Sequence, residues 1–571
     1  MMAPAMTNAP RHRVAQSRWL ALGLSASAAL LCAPQAAAAP ASKNRPELQE
    51  GLDNKPARLE WFRDLGFGLF IHWSVDSQIG SVISHSLAGA SDDYRRRFFA
   101  DLPATFNPQK FDPDAWARLA RLAGVKYVVF TTKHHAGFAM WETKTTPFNV
   151  TRTPAKRDLV AAVVKAFRAQ GIHIGFYFSP EDFHWLHENG KTVTRRPEPG
   201  VEPLDNPGLL ALDRAQLREL ATKYGPVDVW FLDGNGAGMR DVIWRAQPNA
   251  VITRDVIETP EQTIPGVPLD RAWESCITMG TSWQYKPTHE TYRSGTALIE
   301  SLIETRAKGG NLLLNVGPKP DGELPIEQEE RLREMALFHF AFGEALDGVR
   351  PWVVTNEDKL WFTKKKDEDT VYVFITRTPW MLGERKSFTV RSIRATEKTS
   401  ISVLGSGGKI IEYKPGADAA SRLKQDAEGL HLDVVMAQRL ADDRKWPDPL
   451  VVKLTNVVPG LRPPEVASTG AERAPRATTA TLTGSLKSLG EAPSVEVGFE
   501  YRRKKRTEDA LDVAATWTAS PFVNRHEPGP FSATISGLAA DQSYEFRAVV
   551  KHPLLQVAGE ERMVGAERAQ D

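Results

Sequence analysis

Short apolar runs and amphipathic helical stretches take turns from Phe67 to Pro318, and no other feature of this 571-residue chain limits its folding so tightly. The runs are FGLFIHW (67–73), VKYVVFTTKHH (125–135), IHIGFYFS (172–179), VDVWFL (227–232), a strand over 250–254, WESCITMG (273–280) and NLLLNVGP (311–318). Nearly unbroken apolar runs belong to strands covered on both faces. Between them, DPDAWARLARLA (112–123) places Trp116, Leu119, Leu122 and Ala123 on one helical face, with Asp112 or Asp114 as cap. Further helices are expected over 47–66, where Pro56 starts a second part, and over 158–170, 207–224, 239–244, 298–308 and 327–344. Parallel strands need such crossovers, so the pattern predicts an α/β fold with a (β/α) barrel over 45–350. An open doubly wound sheet is the alternative, but no G-x-G-x-x-G follows the first run.

From Trp352 the texture changes. LWFTKKKDEDTVYVFITRTP, SFTVRSI and PLVVKLTNV are short strands with turn-rich links, so a β-sandwich is expected over 351–460. Pro463, Pro464 and Pro475 mark 461–475 as a linker. A small all-β module over 476–571 follows, in which ISGLAADQSYEFRAVV resembles the late strands of a fibronectin type III domain. It is expected to act as a spacer or docking module.

At the other end, Arg11, Arg13 and Arg18 precede an apolar stretch from Trp19 to Cys32, and Ala36 to Ala39 supply small residues for cleavage. Residues 1–39 therefore read as a signal peptide, too short for a membrane span. Export to a bacterial periplasm or exterior is the expectation. Cleavage would leave Cys276 as the only cysteine, excluding an intramolecular disulfide. With 72 basic and 70 acidic residues, the charge gives no case for nucleic acid as partner. No later segment has the length and polarity of a membrane span.

Several apolar runs end in groups suited to chemistry: His72, the pair His134 and His135, Tyr177, and Asp233, which is followed by the loop residues GNG. In a parallel barrel such strand ends converge on one rim. Imidazoles and a phenol recognise hydroxyls, and aromatic faces stack on sugar rings, a role open to Trp73, Trp141 and Trp283. A lone Asp-Gly is also a common turn, and a single strand-end histidine is usually core. Three histidines and an aspartate are also a zinc-like set. Adjacent residues of a strand point to opposite faces, however, and no H-x-x-x-H or paired-cysteine spacing occurs, so no metal or other cofactor is expected.

FGLFIHWS, KYVVFTTKHHAGF, GFYFSP, QLRELATKYGPVDVWFLDG, WESCITMGTSWQYKP and GGNLLLNVGPKPDGELP, in that order, resemble the α-L-fucosidases of glycoside hydrolase family 29. The likeness runs from about residue 48 to 351 and implies a barrel followed by a β-sandwich. It implies exo-acting, retaining hydrolysis of terminal α-L-fucosyl residues from oligosaccharides or glycoconjugates, through two carboxyl groups. Asp233 would be the nucleophile. His72, His134, His135, Tyr177, Arg254 and Trp283 would bind the substrate. Glu261, in a variable loop, is the chosen acid/base, with Glu258 and Glu274 as alternatives; the role calls for a partly desolvated carboxyl. Two positions depart from the family pattern: Ala136 stands where Asp is common, and SQIGSVISHSLAGAS (77–91) replaces a loop that often carries Glu, with His85 as a candidate substitute. These departures leave open an inactive carbohydrate-binding protein on the same scaffold, or a related exo-glycosidase.

Overall fold

The computed structural model describes residues 52–194, 200–269, 271–504, 517–540, 542–552 and 555–564. The expected signal peptide, the start of the helical stretch at 47–51 and the chain beyond 564 lie outside the described residues. The first described helix, α1 (Pro56–Leu65), starts on Pro56, whose fixed φ suits a first turn, and stops at Gly66 with φ +73°. Strands β1 (Phe67–Ile71), β2 (Tyr127–Lys133), β3 (His173–Phe178), β4 (Val229–Leu232), β5 (Val251–Ile252), β6 (Glu274–Thr278) and β7 (Asn311–Val316) follow in chain order. They form one sheet in the order β5-β4-β3-β2-β1-β7-β6, with every pairing parallel.

The sheet is curled, and each strand sorts its side chains between an interior and an outer layer. On β4, Val229 and Phe231 face inward with Phe70, Val129, Tyr177, Val251 and Leu313. Trp230 and Leu232 face outward under the helices. Both faces are therefore apolar, which is why these runs show no alternation in sequence. The segment 258–262 runs beside the β6 edge of the sheet. There Glu258 pairs with Trp273 and Glu261 with Cys276, both parallel.

The outer layer holds α2 (Asp92–Thr105), α3 (Pro113–Leu122), α4 (Leu159–Ala169), α5 (Phe183–Glu188), α6 (Pro207–Lys223), α7 (Arg240–Ala246), α8 (Gly295–Ala307) and α9 (Ile326–Phe342). Asp112 caps α3 by accepting the Ala115 N–H, and Asp158 caps α4 through Ala161 N–H. Neither α2 nor α5 is anticipated from sequence. Lys133, at the end of β2, points out of the barrel: its ammonium is 2.7 Å from Asp213 of α6 and 3.4 Å from Asp182, all three buried.

Beyond the barrel, a five-stranded sheet (393–403, 450–459, 370–375, 360–365, 349–357) faces a three-stranded one (385–390, 429–435, 422–426). The stretch read as a linker is largely a strand: Glu465–Glu472 pairs antiparallel with Thr479–Ser488. Pro463, Pro464 and Pro475 flank this strand rather than interrupt it, so proline density misplaced the boundary. The last module is a sandwich around Leu482, Val497, Phe499, Phe546 and Val550. Among the described residues, no helix is long and apolar enough to cross a membrane.

Candidate active site

Asp233 directly follows β4, and its N–H donates to Phe178 O (3.1 Å), which fixes it at the rim beside the end of β3. The Tyr177 hydroxyl donates to Asp233 Oδ2 at 2.7 Å. On the other side Arg254, just past β5, places Nε 3.1 Å from Asp233 Oδ1 and Nη2 3.2 Å from Glu261 Oε2. One guanidinium thus touches both carboxylates, which brings them near enough to flank a single bond. Burial pulls the Arg254 pKa down, but Asp233, and more weakly Glu261, reverse this and leave it above its ordinary value, hence charged.

The histidines complete the ring. Asn315, on β7, donates from Nδ2 to Trp283 O (2.5 Å), so its Oδ1 must face His72 Nδ1, 2.6 Å away. His72 therefore carries its proton on Nδ1 and presents a lone pair at Nε2. Burial pushes its pKa down to about 4, against the Asn315 hydrogen bond, so the ring is neutral near pH 7. The Trp283 ring lies 5.0 Å from His72. His134 stacks on Tyr177 at 5.2 Å and 4°. The Ser179 hydroxyl donates to Glu181 O (3.0 Å) and so accepts from His135 Nδ1 (2.5 Å). Glu181 Oε2 is also 2.8 Å from Nδ1. His135 Nε2 is buried without a hydrogen-bond partner and stands 3.5 Å from Asp233 Oδ2.

A carboxylate, a phenol and three imidazoles meet at the ends of four strands, and comparison with known proteins says which family carries such a rim. The alpha-L-fucosidase family model matches residues 32–344. The chain belongs to the alpha-L-fucosidase family. Plasma alpha-L-fucosidase of Rattus norvegicus is 30% identical over 409 residues, 63% of this chain and 85% of the relative. A Thermotoga maritima alpha-fucosidase solved with a mechanism-based inhibitor is 26% identical, with a TM-score of 0.55, over 70% of this chain and 96% of that one. A Bacteroides thetaiotaomicron family 29 α-L-fucosidase, a trapped covalent intermediate, shares the fold at 22% identity and a TM-score of 0.56, over 71% and 97%. The chain is accordingly a glycoside hydrolase.

Within this fucosidase-family site, all eight residues singled out from sequence adjoin one another: Trp283, His72, Tyr177, His134, His135, Asp233, Arg254 and Glu261. Glu274 sits at the opposite, N-terminal end of β6. It is buried, accepts a short hydrogen bond from Tyr127, and burial raises its pKa to about 7. Glu258 turns away to Arg271 (2.9 Å). Trp73 and Trp141 are core, with their indole N–H groups donating to Lys319 O and Glu219. The argument that adjacent histidines face oppositely fails here. Both lie past the end of β2, their rings are 4.4 Å apart, and their ligand atoms with those of Asp233 fall within 4.8 Å. Arg254, 3.1 Å from Asp233, sets a positive charge beside this group that disfavours a cation there.

Sequence reasoning missed the supporting shell of Ser84, Ser179, Glu181 and Asn315. Glu181 had a signal, an acid two residues after the run ending at Ser179. Ser84 had none. It connects the two departures from the family pattern: its Oγ accepts the Ala136 N–H (2.9 Å) and lies 2.9 Å from His134 Nδ1. His85, next to it, is exposed, with its ring 6.1 Å from His134 and 5.7 Å from His135.

Proposed function

We propose that this protein is an exo-acting, retaining α-L-fucosidase with Asp233 as nucleophile and Glu261 as acid/base. The observation that carries the reading is the shared guanidinium: Arg254 touches Asp233 at 3.1 Å and Glu261 at 3.2 Å, at a rim ringed by imidazoles. In the first step an Asp233 oxygen bonds to the anomeric carbon as the glycosidic C–O bond breaks, and Glu261 gives its proton to the departing oxygen. In the second, Glu261 takes a proton from water, whose oxygen displaces Asp233 with the original configuration restored. Exposure grades from 16% at the Asp233 side chain to 25% at Glu261, which supports a terminal sugar buried at the nucleophile with its leaving group outward.

The remaining groups support sugar binding. His72 Nε2 accepts from a hydroxyl, and the buried His135 Nε2 gains the partner it lacks when a sugar hydroxyl sits between it and Asp233. Trp283 offers an aromatic wall. The basic head and apolar stretch of residues 1–39 support export, which fractionation of the producing cells would test. The central test is incubation with an aryl α-L-fucoside, with the first-formed anomer read by NMR. Asp233→Gly should lower kcat by on the order of 10⁴ or more. A 2-fluoro-fucosyl fluoride should label Asp233, found by peptide mass spectrometry. Inverted product, label elsewhere or near wild-type turnover in the variant would overturn the assignment.

A further inference from the structure

We propose that the C-terminal module braces the segment carrying Glu261 and so serves the proton transfer, an inference that rests on the acid/base reading of Glu261. That segment runs beside the β6 edge of the sheet. It meets β6 through Glu274 N–H to Glu258 O (3.1 Å), Cys276 N–H to Pro260 O (3.0 Å), Gln262 N–H to Cys276 O (2.9 Å) and Thr278 N–H to Gln262 Oε1 (3.2 Å). Gln262 holds a positive φ of 55°, a conformation side-chain-bearing residues rarely adopt. Lys308 reaches Pro265 O (2.6 Å) from α8. The bonds to β6 end at Thr263, and beyond it the chain is held from outside by Lys308 at Pro265 O and by the C-terminal module at Gly266 N–H.

The module supplies that hold at three kinds of contact. Glu561 Oε1 accepts the Gly266 N–H at 3.0 Å. The same carboxylate is aimed by Arg502 (3.3 Å) and Arg547 (3.7 Å), whose guanidinium groups both lie 4.3 Å from the Trp517 ring. Arg271 then spans the junction, 3.2 Å from Glu560 of the module and 2.9 Å from Glu258, three residues before Glu261. Ala558 and Ile264 pack against the buried cluster of Val267, Leu269 and Trp273. Charged groups rigidly held inside one domain and pointed at a backbone N–H of another form a built joint, and its barrel side leads directly to the acid/base. Catalytic carboxyls need sub-ångström placement, so loosening this joint should cost rate where the proton matters.

Two full-length variants outside the catalytic groups test this. In Gly266→Ala the new Cβ overlaps Arg547 Nη1 and Glu561 Oε1; Ala558→Glu puts a charge into the apolar contact. Hydrogen–deuterium exchange of peptides over 256–266 should rise in both. kcat/KM should fall about tenfold or more for methyl α-L-fucoside, whose leaving group needs a proton, and less than about twofold for the 4-nitrophenyl fucoside. Unchanged exchange, or equal effects on the two substrates, would overturn the brace. Wild-type protein inactive on every fucoside would instead remove the functional reading, while the exchange data would still report on the joint.

Discussion

Ser84 is the residue on which the altered rim loop can be tested. It is fully buried, holds a positive φ of 57°, and its N–H donates to the buried Asp76 Oδ2 at 2.7 Å. Its Oγ accepts from Ala136 N–H and meets His134 Nδ1, both at 2.9 Å. Ser84→Ala leaves the Ala136 N–H buried and unpaired, a cost of about 1–3 kcal/mol, and keeps the backbone strain. Ser84→Gly loses the same oxygen but tolerates the positive φ, which should return about 1 kcal/mol. Both variants remove the Oγ contact from His134 Nδ1, and under the proposed sugar-binding role this should lower kcat/KM by about tenfold, equivalent to ~1.4 kcal/mol of transition-state binding. The two variants should therefore match in kcat/KM on an aryl fucoside yet differ in denaturant midpoint, with glycine the more stable. Wild-type kcat/KM in Ser84→Gly, or alanine the more stable, would refute the reasoning.

Two further outcomes concern the scaffold. Burial raises Glu274 from about 4.5 to about 7, so its contribution to stability is complete below pH 4.5 and is lost as pH rises through 7. Glu274→Gln should gain up to about 3 kcal/mol on wild type between pH 5 and 8 in denaturant unfolding followed by tryptophan fluorescence; parallel curves would contradict this. Lys133→Met leaves Asp213 buried without its counter-charge and should destabilise by about 3–5 kcal/mol, whereas Lys133→Met with Asp213→Leu should recover most of that. A single variant as stable as wild type would show that the pair contributes little.

What was legible in the chain follows from which forces are local. The strands β1, β2, β4 and β7 could be read because burial on both faces leaves each run largely apolar, with no regular polar alternation. Helices α3 and α4 were legible because one apolar face and an Asp cap lie within a dozen residues. Helix α2 was not: its sequence DDYRRRFFADLPAT clusters charges in its first half and has Pro103 inside it, and only Phe98 is buried. The segment 258–262 was hidden for the opposite reason. It joins the sheet through two isolated bridges, to Trp273 and to Cys276 of β6, and nothing within its own residues requires that.

The same division runs through the site. Asp233, His72, Tyr177 and the histidine pair could be found because each stands where an apolar run stops, and the barrel geometry alone then brings them together. The groups that decide their protonation and aim come from elsewhere in the chain. Asn315, 243 positions from His72, fixes which nitrogen of that ring holds the proton. Ser179 does so for His135 by donating its own hydrogen to Glu181 O. A polar residue inside a strand such as NLLLNVGP looks like an interruption until its partner is known. Reading Asn315 as a tautomer lock needs the Trp283 carbonyl that forces its amide to face the other way. The chemistry of this rim is thus written twice: once at strand ends, where sequence alone reveals it, and once in the contacts that orient those ends, which only the folded chain brings within hydrogen-bonding distance.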